Sequence, residues 1–266
     1  MAAPEMEELE TLFVRVAPPM GNDKKKPARS TAVVLLHGLN LHFFNKEKTF
    51  HPELRPWQKE DSLLVERLGE QFDVWSLSYG QNLSLEAIAS HPRLLGHFRT
   101  LKQQGYTQII LIGHSAGGVI ARLIVEDHPQ LGISKVVQVC APNKGSALAA
   151  LKTARASQIP FLVSLTRSNR EKEAESRSKK LIPSNVEFAC VVGSINLKGD
   201  GVVFSRSQWS ADLQGQGIPA FLVKTTHWDA MFSTRCVDLL VKLLETPLPR
   251  WDSGKVVETR RQILGS

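Results

Sequence analysis

The string Gly113-His114-Ser115-Ala116-Gly117 sets one hydroxyl in a run of small residues. It directly follows the apolar run Gln108–Ile112, and it leads into Val119, Ile120, Leu123 and Ile124 at helical spacing. A strand, a tight turn and a helix in that order hold a serine in a strained conformation at the strand's end. Its neighbours must then lack clashing side chains, as Gly113 and Gly117 do, while Gly118 lets the helix approach the sheet. The chemistry open to such a serine is nucleophilic attack on an acyl carbon, with a helix N-terminus beneath the hydroxyl. Outside this setting the same five residues would be a glycine-rich turn with an inert hydroxyl.

A serine hydroxyl is a weak nucleophile at its own pKa, so an imidazole must take its proton as attack proceeds. The chain has eight histidines. His114 lies inside the turn, where its side chain is expected to point away from the reacting face. His37 follows an early apolar run, and His91, His97 and His128 fall in helices or at their ends. His42 and His51 lie in a long loop from Leu39 to about Pro56 that could reach the serine, and His227 follows the strand-like run Ala220–Val223. A carboxylate must in turn orient the imidazole. Asp200 sits between Gly199 and Gly201, which suits a tight loop carrying a carboxylate inward and equally suits a surface turn. Asp212 and Asp229 are its rivals. Cys140, Cys190 and Cys236 show neither a CxxC pair nor a Cys/His ligand spacing, so no disulfide framework or metal site is expected. Cys140 and Cys190 fall in apolar runs where a free thiol acts as a small buried hydrophobe, and a reducing compartment is the expectation.

The elements that must position these groups alternate. Leu12–Val16, Ala32–Leu36, Val74–Tyr79, Gln108–Ile112, Val136–Ala141, Val186–Val192 and Ala220–Val223 read as strands. Between and after them, helical spacing recurs at Trp57, Leu64 and Leu68, at Leu94, Phe98 and Leu101, after Gly118, and at Val237, Leu240, Val241 and Leu244. Such alternation predicts an α/β fold, a mostly parallel central sheet with helices on both faces and right-handed crossovers. The rhythm breaks at Ser146–Ser184, an insertion of about forty residues, a length that is usually functional or disordered. Residues 1–266 are expected to form a single domain carrying that insertion at about 146–184, with mobile tails at 1–10 and 249–266.

On these residues the chain resembles the α/β-hydrolase superfamily from about Ala32 to Leu244. It is most similar to the lipase and esterase branch that includes GPI inositol-deacylase-like and bacterial triacylglycerol lipase domains. His37-Gly38, Gly113–Gly118, Ala141–Ser146, Gly199–Val203 and Thr226-His227 carry the likeness. The superfamily's chain order is nucleophile, acid, histidine, and the resemblance therefore implies Ser115, Asp200 and His227 as a triad. It also implies an oxyanion hole from the Ala116 N–H and an N–H of the His37–Asn40 loop, with Leu39 the expected donor. The Asn40 amide either assists there or is an ordinary turn residue. The HGGG string of hormone-sensitive-lipase relatives is missing, which argues against that branch. With about thirty residues before the first buried strand, the leading strands of the full fold are expected to be reduced.

The insertion resembles a lipase cap. Phe161 and Leu162, with Val163 and Leu165, either wall an acyl pocket or pack the cap on the core. Phe43 and Phe44, with Phe50 and Trp57, make the long loop a hydrophobic mouth. Both features favour an apolar acyl group over a peptide, and the expected reaction is hydrolysis of a carboxylic ester with a short-to-medium chain, an ester or lipid substrate, without cofactor or metal. Thioesterase, amidase and acyltransferase chemistry use the same triad, and a binding protein that keeps the fold without catalysis is the competing class. The net charge is +7, from 33 Lys and Arg against 26 Asp and Glu. Lys24–Lys26, the cap cations Arg167, Arg170, Lys172, Arg177, Lys179 and Lys180, and Arg260-Arg261 could touch an anionic lipid surface. Glu171, Glu173 and Glu175 interleave with the cap cations as on a solvated helix face. No nucleic-acid motif is present, no apolar run is long enough to span a membrane, and the acidic N-terminus is unlike a secretory signal. A cytoplasmic location is the expectation.

Overall fold

The apolar runs become one seven-stranded sheet: β1 (Thr11–Ala17), β2 (Thr31–Leu36), β3 (Asp73–Tyr79), β4 (Gln108–His114), β5 (Ile133–Val139), β6 (Glu187–Gly193) and β7 (Ala220–Val223). Across the sheet the order is β1-β3-β2-β4-β5-β6-β7, with β1 antiparallel to β3 and every other neighbour parallel. The computed structural model describes residues 8–18, 28–40, 49–146, 156–195 and 198–265. Among the described residues, ten α-helices connect and follow these strands. The first four are α1 (Leu63–Gly69), α2 (Leu85–Ser90), α3 (Pro92–Gln103) and α4 (Ala116–Asp127). Between β5 and β6 come α5 (Ile159–Ser164) and α6 (Arg167–Ser176), and between β6 and β7 come α7 (Ser205–Gln208) and α8 (Ala211–Gly215). The chain continues after β7 with α9 (Thr234–Glu245) and α10 (Ser253–Leu264).

The continuous apolar character of the central strands follows from burial on both faces. Along β2, Ala32, Val34 and Leu36 enter one core while Val33 and Leu35 enter the other. β4 does the same with Ile109 and Leu111 against Ile110 and Ile112. The first core is covered by α2, α3 and α4, and the second by α1 and α9. The chain leaves β2 for β3 on one side, then crosses back to β4 on the other side of β2. The loops after β2 and β4 therefore diverge, and the crevice between their C-terminal ends is where an open α/β sheet receives a ligand.

Polar groups close the exposed ends of this framework. Lys135 is buried near the start of β5, where its Nζ donates to the carbonyls of Leu243, Leu244 and Thr246 at 3.0, 3.0 and 2.8 Å. It also pairs with Glu187 at 2.8 Å. One ammonium thus satisfies carbonyls that the end of α9 leaves without helical partners. At the sheet edge, Arg15 of β1 pairs with buried Asp73 of β3 at 3.1 Å, and Tyr106 donates to the same carboxylate at 2.7 Å.

Several elements differ from their sequence reading. Trp57 stands in a separate 3-10 turn, Pro56–Gln58, ahead of α1. The stretch 249–266, expected as a mobile tail, contains α10: Asp252 caps it, and Val256, Thr259 and Ile263 recur on its buried face. The insertion holds two helices, and residues 147–155 within it lie outside the described residues. Three cap cations expected at a solvated face or lipid surface have partners inside the molecule instead. Arg170 is buried against Glu86, Arg177 reaches Glu126 and Asp127, and Lys180 reaches Asp127. These pairs tie the cap to α2 and to the end of α4. Lys24–Lys26 lie outside the described residues. No described helix is long and apolar enough to cross a membrane.

Candidate active site

Ser115 stands between β4 and α4 with φ 54° and ψ −125°, a conformation that non-glycine residues adopt only under constraint. Its N–H donates to Val139 O at 2.8 Å, and its carbonyl accepts the Gly118 N–H at 2.9 Å. The surrounding glycines are required by distance. A Cβ on Gly117 would lie 2.5 Å from the carbonyl oxygens of both Leu36 and His37, and one on Gly113 would lie 2.5 Å from Gly117 O. From the opposite loop, a Cβ on Gly38 would meet Ser115 Cβ at 2.5 Å. The β2 loop therefore lies directly against the serine.

The residues sequence order singled out come together. His227 Nε2 lies 3.0 Å from Ser115 Oγ, and His227 Nδ1 lies 2.7 Å from Asp200 Oδ2. An ionised Asp200 can only accept, so Nδ1 carries the proton and Nε2 is left to accept the serine O–H. The other carboxylate oxygen accepts the N–H groups of Val202 and Val203 at 2.9 and 2.7 Å, and the His227 N–H donates to Asp200 O at 2.9 Å. Burial works against charge on Asp200, but the His227 hydrogen bond and charge and the two backbone donors outweigh it. The carboxyl is held below its ordinary value. The rivals are elsewhere. Asp212 pairs with Arg122, Asp229 exchanges hydrogen bonds with Thr226, and His51 pairs with Glu10 at 2.7 Å on the surface. His42 lies outside the described residues.

Four supporting groups had no distinct signal in the sequence. His114, expected to point away, turns its Nε2–H to His227 O at 3.0 Å, with the two rings 4.9 Å apart. Burial, and then the neighbouring imidazole, push its pKa down to about 3, so it buttresses His227 as a neutral donor. Gln81 and Gln158 hold the loop after β2. Gln81 Nε2 donates to Gly38 O at 2.9 Å, and its Oε1 accepts the Asn40 N–H at 2.9 Å. Gln158, from the insertion, donates to Asn40 O at 2.6 Å and to Gln81 Oε1 at 3.0 Å. Asn40 is thus held through its backbone, while the Leu39 and Ala116 N–H groups have no acceptor among the described residues. Cys140, with φ 55°, directly follows β5 and faces Asp200. Its thiol, Asp200 and His227 have ligand atoms within 4.8 Å of one another, close enough for a cation to be weighed there. Burial and then the Asp200 charge raise the thiol pKa well above its usual value, so its proton stays on sulfur. The carboxylate is already satisfied by three donors, and the trio reads as a hydrogen-bonded cluster.

Above the serine lies a cavity of about 330 Å³. Its walls are apolar: Leu39, Pro142, Leu162, Leu165, Trp228 and Phe232 line it. Leu162 lines this cavity. Phe161 does not line the cavity, because one step along α5 turns its ring into the core, where it is fully buried. Phe43 and Phe44 lie outside the described residues. Trp228 and Phe232 are more than half exposed, at 60% and 51%, so the cavity opens through an aromatic rim.

Residues 61–256 match the lecithin:cholesterol acyltransferase family. No curated protein matches the sequence. Among solved structures, the mature lipase BlEst2 of Bacillus licheniformis superposes with a TM-score of 0.64 at 16% identity, covering 88% of this chain and 98% of its own. Phospholipase PlaB of Legionella pneumophila gives 0.57 at 15% identity, covering 88% and 62%. A structure from work on carboxylesterases of Nitrososphaera gargenis gives 0.51 at 16% identity, covering 97% and 99%. The likeness common to them is the α/β-hydrolase fold, here with one antiparallel strand ahead of the parallel set.

Proposed function

Because the chain belongs to the lecithin:cholesterol acyltransferase family, in the lipase and esterase branch of the α/β-hydrolases, we propose that it is a serine hydrolase of carboxylic esters. The observation that carries this reading is the unbroken hydrogen-bonded path from Asp200 through His227 to a strained serine beneath an apolar cavity. Ser115 Oγ attacks the ester carbonyl as its proton passes to His227 Nε2. Asp200 keeps Nδ1–H in place and stabilises the imidazolium. The carbonyl oxygen takes up negative charge against the Leu39 and Ala116 N–H groups, whose lack of an acceptor among the described residues fits that role. Collapse breaks the C–O bond, and His227 gives its proton to the departing alkoxide. Water then repeats the sequence on the acyl-enzyme and releases the acid.

The size and apolar walls of the cavity support a short-to-medium acyl chain. Fluorophosphonate labelling tests the nucleophile. The Ser115→Ala protein should take up no label and should lose about 10³-fold or more of its activity on p-nitrophenyl esters. Undiminished labelling of that variant would place the nucleophile elsewhere. Transfer of the acyl group to an alcohol in place of water is a second reading, favoured by the family match and the exposed aromatic rim. Adding a long-chain alcohol should then divert product from acid to ester.

A further inference from the structure

Arg55 is the single Lys, Arg, Asp or Glu among the described residues that line the cavity. Its backbone is fixed by Gln58, a fully buried side chain. Gln58 Oε1 accepts the Arg55 N–H at 3.0 Å, and its Nε2 donates to Leu35 O and Leu77 O at 3.0 and 3.2 Å. Ser76 Oγ donates to Gln58 O at 2.6 Å. The ends of β2 and β3 thereby set where Arg55 stands. Its guanidinium nevertheless has no hydrogen bond or ion pair among the described residues. Burial lowers its pKa, with the charge of Glu53 opposing. A half-buried cation against apolar walls is unfavourable until an anion joins it.

Its location says where that anion sits. Arg55 lines the cavity beside Pro56 and Trp57; Trp57 packs edge-on to His114 at 6.1 Å, and the His114 ring is 4.9 Å from that of His227. Arg55 therefore belongs to the histidine side of the cavity, where the leaving oxygen must receive its proton from His227 Nε2. The cap residues Leu162 and Leu165 remain for the acyl chain. We infer that Arg55 binds an anionic group, a carboxylate or a phosphate, on the alcohol portion of the ester substrate. The inference rests on the reading of Ser115 as nucleophile, and it adds a charged subsite to a cavity otherwise suited to neutral chains.

Three chromogenic esters test it. One is o-nitrophenyl butanoate. The second is the butanoate ester of hydroxynitrobenzoate, which carries a carboxylate on the leaving group. The third is mono-o-nitrophenyl glutarate, which carries the carboxylate at the acyl end. The ratio of kcat/KM for the second ester over the first should fall about tenfold in Arg55→Gln, the factor for one charge-assisted hydrogen bond, and Arg55→Lys should keep most of it. An unchanged ratio in Arg55→Gln, or a fall confined to the glutarate ester, would overturn the assignment. Calorimetric binding of hydroxynitrobenzoate and of butylphosphonate to the Ser115→Ala protein supplies a readout without turnover and separates carboxylate from phosphate. Binding of either anion should be lost when Arg55→Gln is added, and binding of both that ignores Arg55 counts against the subsite. If anions bind through Arg55 while Ser115→Ala leaves ester hydrolysis intact, the nucleophile reading fails and the subsite stands. If hydrolysis depends on Ser115 while selectivity and binding ignore Arg55, the reverse holds.

Discussion

His227 is held at both ring nitrogens, at its backbone N–H and at its carbonyl. Of these contacts, the one to Asp200 selects the tautomer. Asp200→Asn should leave the fold in place and lower kcat by roughly 10³–10⁴-fold, measured on a p-nitrophenyl ester, because an amide can donate to Nδ1 and stabilise the wrong tautomer. His114 makes a separate prediction about stability. Unfolded, it takes up a proton near 6.5; folded, it stays neutral down to about 3. The unfolded state binds more protons across that window, so stability falls as pH drops through it. His97 and His128, also lowered by burial, add to the same slope. The thermal midpoint of His114→Gln should therefore fall less steeply than wild type below about pH 6.5, and parallel acid limbs would contradict the assignment. Ser115 was legible because a local string dictates its backbone, and Asp200 and His227 because chain order narrows the choice. The direction of the His114 ring was not legible, since it depends on a carbonyl 113 residues away. Cys140 read correctly as buried, but no periodicity signals a positive φ or a carboxylate neighbour.

The loop after β2 is the element on which rate depends most indirectly. Its backbone is braced by two side-chain amides, Gln81 after β3 and Gln158 from the cap. Gln158→Leu should loosen the Leu39 N–H and lower kcat by about tenfold or more, with a smaller change in KM, read from steady-state kinetics. The sequence exposes the loop's position but not its braces, because a glutamine in a polar context resembles any surface residue. Periodicity likewise located β1 to β7 but missed α5 and α10: α5 is short, α10 presents only a narrow apolar stripe, and α6 was signalled by its interleaved charges alone. At the other end of the sheet, Lys135→Met should destabilise the protein by about 1–3 kcal/mol in denaturant unfolding, because it removes the donor to three carbonyls at the end of α9.

Across the whole molecule, two cores on either side of one sheet account for how readily the fold class could be read. Strands buried on both faces announce themselves as unbroken apolar runs. What such runs do not reveal is how far the C-terminal segment belongs to the first core. Val256 and Ile263 are buried in it, and the Trp251 N–H donates to Gly217 O at 2.7 Å. Truncation after Pro249 should therefore lower stability by roughly 3–5 kcal/mol in denaturant unfolding, on the scale of burying two large apolar side chains. Three of the cap's cations, Arg170, Arg177 and Lys180, stand in ion pairs that join cap to body. The cap is thus bound to the body at its far end by charge and at its near end by the Gln158 amide. That second attachment limits exchange between relatives. A chimera that grafts a foreign lid onto this scaffold to change selectivity would also remove a brace from the machinery of rate, unless the graft supplies an amide where Gln158 stands.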